Sequence, residues 1–293
     1  MPAITQDSVV PTASPAILPG AEFERSLQII LASDGVEIPT LPAVAIEVER
    51  LTADADDSSP IKLAQLIQRD VSLAGQIMKV ANSALYARRA PVVSLQQAIA
   101  WLGMREIRGI AYSFAVRGSL FRAGGLTAQV AALWHESVGV ACFAQEIARL
   151  KRRNVESSYL CGLLHRAGYA LLLARLSKTA IPKAVLTPDV LAQYGARAEA
   201  QLGARLAQVW QLPAPVTASI AHWRMPAEAS ESRQDVLRVV VARAFAAQLE
   251  ASAPAELLGV DMETLSELSL YPEDIATLLE KSAAIRNTVA SFQ

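Results

Sequence analysis

From about residue 60 onward, apolar residues recur at intervals of three and four, and runs of alternating apolar and polar positions long enough for a sheet are absent. The pattern predicts an all-α protein. Ser58 and Ser59 ahead of Pro60, followed by Ile61, Leu63, Ala64, Leu66 and Ile67, predict a first helix. Leu73, Ala74, Ile77, Met78 and Ala81 predict a second, ending near Asn82 and packing on the first. Ser94 with Gln97 fits a capping box, Leu95, Ala98, Ile99 and Leu102 supply the buried face behind it, and Gly103 is placed to stop the helix. Another helix is predicted from about Met104 to Leu120. Beyond the Gly124-Gly125 break, Val130, Leu133, Trp134, Val138, Ala141 and Ile147 lay a buried stripe along Thr127 to Leu150. Further helices are predicted near 157–167, 169–180, 196–210, 214–223 and 232–250. One or two more follow from about Pro254, with Pro272 opening the last. The apolar-rich stretch from Asp274 to Phe292 reads as a helix that packs on the domain or on another subunit.

The breaks divide the chain into a disordered tail (1–24), an N-terminal helical lobe (25–123), a second lobe (124–250) and a C-terminal helical extension (251–293). Composition then removes several functions. With 27 Lys+Arg against 28 Asp+Glu, a net charge of -1 and 5% aromatic residues, nothing global points to a nucleic acid or an anionic membrane as a direct partner. Two cysteines, Cys142 and Cys161, and three histidines, His135, His165 and His222, exclude a disulfide framework and a thiolate zinc cluster. Both cysteines lie in apolar helical contexts and read as inert core residues. A hydrophobic fraction of 52% raises the question of a membrane span. The longest stretch free of acidic and basic residues, Leu206 to Trp223, contains Pro213 and Pro215, so no span is predicted. The proline-bearing first twenty residues lack the basic start and apolar centre of a secretory signal, and a cytoplasmic protein is expected. The Lys151-Arg152-Arg153 cluster ends a long helix, where cations complement the macrodipole. No phosphate-binding Gly-rich loop, Gly-x-Ser-x-Gly elbow or zinc-finger spacing occurs.

His135 lies in Leu133-Trp134-His135-Glu136-Ser137, and His165 follows thirty residues later in Leu163-Leu164-His165-Arg166-Ala167-Gly168. Two histidines on neighbouring helices can share a metal, or each can be a partly buried histidine bonded to nearby groups. The surrounding motifs carry a resemblance. Ile38-Pro39-Thr40-Leu41-Pro42-Ala43-Val44, Asp70-Val71-Ser72-Leu73-Ala74 with Val80-Ala81-Asn82-Ser83-Ala84-Leu85-Tyr86, and Ser94 to Gly103 with Arg105 and Arg108 stand in the first lobe. Trp134-His135-Glu136-Ser137, Gly162-Leu163-Leu164-His165 and Trp210-Gln211-Leu212-Pro213 follow in the second. In order and separation these resemble the HDOD family, the HD-related output domains, over residues 25 to 250. The resemblance implies a two-lobed helical bundle whose second lobe is HD-like.

HD hydrolases ligate metal with a His, then an adjacent His-Asp pair, then a late Asp. By resemblance His135 and His165 fall on the first two positions. Arg166, however, stands at the Asp of the His-Asp pair, and Arg243, in Val241-Ala242-Arg243-Ala244-Phe245-Ala246, falls on the late carboxylate. Two guanidinium groups in place of two carboxylates change the local formal charge by about four units, and an always-protonated Arg cannot coordinate a divalent cation. Glu199 and His222 are secondary candidates near positions where extended HD relatives carry histidines, and a zinc held by His135, His165 and Glu199 is the enzymatic alternative. Arg166 and Arg243 could instead form an anion site for a phosphate or a partner's carboxylate. Alternatively each pairs with a nearby carboxylate such as Glu136 or Glu199.

The resemblance implies no metal, no cofactor and no catalysis, but a bacterial signal-transduction regulator or adaptor that acts by binding an unidentified signalling protein. A sensor holding a nucleotide or cyclic dinucleotide in the former HD cavity is the second reading, and a residual metal-dependent phosphohydrolase the third.

Overall fold

A computed structural model describes residues 60–86, 89–122, 124–249 and 260–292, with short pieces at 23–25, 27–29, 38–41, 43 and 46–48. Among these residues the architecture is an all-α multi-helix bundle without strands. The Ser58-Ser59 start signal and Pro254 lie outside the described residues. So does the tail of 1–24, except that Phe23 and Glu24 are helical and Phe23 is buried edge-on against Tyr194.

Toward the N-terminal side, α1 (Pro60–Gln68) buries Leu63, Ala64, Leu66 and Ile67, whereas Ile61 is exposed. Asp70 caps α2 (Val71–Ala81) by accepting from the Leu73 N–H at 3.0 Å. Asn82 then ends α2, and its side chain accepts from the Val92 N–H at 2.8 Å and donates to the Val92 carbonyl at 3.0 Å. This polar clip ties α2 to the approach of α3 (Leu95–Leu102). Ser94 caps α3 as its sequence predicts, while the Gln97 side chain accepts from the Val93 N–H. Gly103, at φ 83°, ends α3 and opens α4 (Met104–Leu120) at once, a backbone position that favours glycine.

Helix α5 (Thr127–Leu150) is the axis around which the later helices pack. Every residue from Ser137 to Ala148 is buried, so this stretch is covered on all sides. Its cover comes from α6 (Val155–Leu164), α11 (Arg233–Ala247) and the last helix of the chain. Between α6 and α11 the chain forms α7 (Ala167–Leu176), α8 (Pro188–Tyr194), α9 (Ala196–Val209) and α10 (Ala214–His222). Close approach fixes the α7/α9 contact: a Cβ added to Gly168 would stand 2.0 Å from the Glu199 carbonyl oxygen and 2.7 Å from the Gly203 nitrogen.

Two expectations need correction. The predicted helix over Asp274 to Phe292 is two helices, α13 (Pro272–Glu280) and α14 (Ser282–Ser291), preceded by α12 (Met262–Glu267), so Pro272 opens the penultimate helix. The single-helix reading followed the apolar spacing, which continues through the break at Lys281. Helix α8 went unpredicted because only a Thr187 cap and Pro188 at its first turn announce a seven-residue element. The chain end packs back on the bundle: Ser83 and Thr288 hydroxyls meet at 3.0 Å, and the Trp134 indole N–H donates to the Phe292 carbonyl at 3.1 Å. No described helix is long and apolar enough to cross a membrane.

Candidate functional site

The corner between α6 and α7 positions the first two groups. His165 closes α6 and Arg166 opens α7, so adjacent residues leave two helix axes at one bend. His165 is 1% exposed. Its Nδ1 lies 2.7 Å from the Gly162 carbonyl, which makes Nδ1 the donor and leaves the Nε2 lone pair open. Nε2 has no hydrogen-bond partner among the described residues. A ring held by a backbone carbonyl with the other nitrogen free is how a metal-binding histidine is oriented.

What faces that nitrogen is Glu136, projecting from α5 with Oε1 3.8 Å from His165 Nε2. Glu136 is clasped by both arginines. Arg166 Nη1 donates to Oε2 at 2.8 Å, and Arg243 donates to Oε1 from Nη2 at 2.9 Å and Nε at 3.2 Å. Arg166 also approaches Glu199 Oε1 at 3.5 Å, and Arg224 donates to Glu199 Oε2 at 2.7 Å. The clasp thus joins α5, α7, α9, α11 and the residues after α10.

Trp223 supplies the apolar floor. Arg243 and Arg224 lie over its ring at 3.9 and 4.1 Å from the centroid, and His165 meets it edge-on at 5.6 Å. Arg166 stacks at 4.2 Å over Tyr169. Guanidinium faces are weakly hydrated and suit such stacking, while their edges serve the carboxylates.

Burial alone would raise the Glu136 carboxyl, but the charges of Arg166 and Arg243 outweigh it and hold the group well below the usual carboxylate range. Complete burial pushes the His165 imidazole below its ordinary value despite the neighbouring Glu136. The arginines split. Burial opposes the charge of each, yet Arg166, with Glu136 and Glu199 beside it, is raised, while Arg243 is lowered.

His135 lines a cavity of about 650 Å³ together with Glu136, Arg166, Tyr169, Arg243 and Arg286. Glu199 is brought into the cluster, but it faces Arg166 and Arg224. His222 points elsewhere, with Nδ1 3.7 Å from Glu228. The trio His135, His165 and Glu199 forms no ligand set, and among the described residues no group of three or more His, Cys, Asp and Glu side chains stands ready for a metal. The donors at the corner do not fit a divalent cation, because the nearest carboxylate is already engaged by two permanent cations. Trp223, Tyr169 and Arg224 were not legible as site residues. An aromatic at the end of α10 carries no pattern that distinguishes a stacking floor from ordinary core.

The remaining singled-out residues are structural. Arg108 pairs with Glu156 at 2.7 Å, Arg117 donates to the Phe292 carbonyl, and Lys151 pairs with Asp274. Cys142 and Cys161 are buried free thiols, and burial pushes Cys161 up to about 12.

The HDOD domain family model matches residues 38–226. A curated Treponema pallidum (strain Nichols) protein, uncharacterized, is 27% identical over 234 residues, 75% of this chain and 44% of its own. The chain therefore spans less than half the length of that relative. A Shewanella amazonensis SB2B structure, provisionally named a metal-dependent phosphohydrolase, superposes with TM-score 0.71 at 24% identity, covering 94% of this chain and 99% of its own. A Geobacter sulfurreducens HDOD domain protein of unknown function gives 0.69 at 21% identity over 93% and 99%. A Marinobacter aquaeolei VT8 structure, provisionally named a signal transduction protein, gives 0.67 at 21% over 96% and 68%. At these identities the structures establish the fold.

Proposed function

This chain belongs to the HDOD domain family, and from that premise we propose that it is a non-catalytic bacterial signal-transduction regulator or adaptor working by protein-protein interaction. In this reading residues 25–123 and 124–250 are the two lobes of a cytoplasmic HDOD domain, 251–293 is a helical extension, and His135, His165, Arg166 and Arg243 mark a vestigial HD site. One observation carries the proposal: the Arg166-Glu136-Arg243 clasp, closed at 2.8 and 2.9 Å, occupies the corner where a hydrolase of this lineage needs carboxylates free to bind metal. A retained His165 with its Nε2 lone pair open supports descent from such a site. The test is metal content and turnover of bis(p-nitrophenyl) phosphate by purified protein supplied with Mn²⁺. Neither stoichiometric metal nor hydrolysis is expected, and finding both together overturns the proposal. Co-purification from the native host, with and without Glu136→Ala, then identifies the partner.

A second reading, a sensor for a nucleotide or cyclic dinucleotide, is favoured by the cavity of about 650 Å³ beside Arg166, Arg243 and Arg286. There the arginines exchange Glu136 for a phosphate. A ligand at 100 times its dissociation constant would stabilise the fold by ~2.7 kcal/mol, and that shift should vanish in Arg166→Ala.

A further inference from the structure

The cavity of about 650 Å³ beside the clasp joins a cluster of charge to an aliphatic wall. We propose, resting on the sensor reading of that cavity, that its ligand is a single-chain anionic amphiphile: an aliphatic chain whose anionic head is taken by Arg243 and Arg286.

The lining carries a surplus of positive charge. Arg166, Arg243 and Arg286 stand there against the one carboxylate of Glu136, and counting in Glu199 with its own Arg224 leaves the surplus at two. Burial and the cations of Arg166 and Arg224 lower Arg243 in spite of Glu136, as crowding of like charges does. Donors also remain once the clasp is made. Arg243 gives Nε and Nη2 to Glu136 Oε1, while its Nη1 meets no acceptor among the described residues and is open to solvent. Arg286 spends only Nε, on the Leu249 carbonyl at 2.8 Å, and is paired with no carboxylate among the described residues. An anionic head can therefore be held without displacing Glu136, and guanidinium edges suit a carboxylate or a phosphate.

The walls select the rest of the ligand. Ala246 and Ala247 lie three and four residues beyond Arg243, and Val289 and Ala290 lie three and four beyond Arg286, so α11 and α14 each set an aliphatic pair one turn from an arginine. The two pairs meet: Ala246, Leu249 and Val289 stand 3.3 to 3.9 Å from where a Cβ on Gly139 would lie, one turn beyond Glu136 on α5. Leu133 and Pro188 add to the apolar lining, and the volume falls in the range typical of small-molecule sites. A nucleobase has less to stack on. Tyr169 is the only Phe, Tyr or Trp ring in the lining, and Arg166 already stacks over it at 4.2 Å. A flexible chain needs no ring, and burying it against small aliphatic side chains removes apolar surface from water at both partners.

Isothermal titration of the full chain with decanoate, kept below its micelle concentration, tests the proposal, with decanol and cyclic di-GMP as comparisons. Saturable one-to-one binding of decanoate is expected, at least tenfold tighter than that of decanol, weakened tenfold or more by Arg286→Ala and abolished by Ala290→Trp, which sets an indole in the cavity. Arg286 and Ala290 are both exposed, so neither change removes a core contact. No saturable decanoate binding, decanol binding as tight as decanoate, or wild-type affinity in either variant overturns it. If cyclic di-GMP binds and decanoate does not, the amphiphile is wrong and the sensor reading survives; if neither binds, both fall.

Discussion

Two glutamates line two of the cavities, and they are held differently. Glu136 is gripped by two guanidinium groups, with a neutral histidine behind it, whereas Glu106 is held by a phenol, an amide and one arginine. Near each glutamate lies a buried atom with no hydrogen-bond partner among the described residues. At the corner of α6 and α7 it is His165 Nε2, which meets the Glu136 carboxylate at 3.8 Å; beside Glu106 it is Gln145 Oε1. The difference teaches that one partly buried carboxylate can be held by permanent cations and another in the same fold chiefly by neutral donors. Permanent cations fill every acceptor of their carboxylate, but an amide that spends its N–H₂ on a carboxylate leaves its oxygen unserved.

The largest expected effect comes from removing the clasp's centre. Glu136→Ala strands Arg243 and leaves Arg166 only its longer contact to Glu199, and should cost about 2–3 kcal/mol in urea unfolding, less than a fully buried broken pair because the carboxylate is 29% exposed. Next is pH. The His165 pKa in the folded chain lies below its ordinary 6.5, so the unfolded chain takes up the proton first as pH falls. Stability present above about pH 6.5 should therefore drop through the window beneath it, by up to about 1.4 kcal/mol per pH unit. Glu136, also depressed, extends the loss below its ordinary 4.5. His165→Gln should flatten the upper part of a plot of Tm against pH and leave the part below 4.5. A smaller effect is predicted for Glu106→Ala, about 1–2 kcal/mol, since Arg149 keeps Glu146 and the groups left behind are otherwise neutral. If Glu106→Ala proves costlier than Glu136→Ala, the contrast between the two cavities is wrong. Least of all is Arg224→Ala, a few tenths of a kcal/mol, because that side chain is 38% exposed at the rim of Trp223.

Much of the fold was legible because its signals are local. Ser94 announces α3 and Gly103 stops it, and the stripe from Val130 to Ile147 lies along α5. Less legible were elements without such punctuation, α8 and the break between α13 and α14. The site divided along the same line. Reading Arg166 against a His-Asp motif needed only neighbouring residues, and Arg243 needed one short helix.

The sequence by itself determined most of the helices and the family, and it singled out two arginines, Arg166 and Arg243. It also left open whether those arginines would serve a ligand or the protein's own acids. Only the tertiary structure decided that both converge on Glu136, that Glu199 is drawn in through Arg166 and Arg224, and that Trp223 lies beneath all three of these arginines. Glu136 is 30 residues from Arg166 and 107 from Arg243 along the chain. Helical periodicity specifies which face of a segment is buried, over a few turns; which groups meet across that separation depends on how whole helices pack, and packing has no local code.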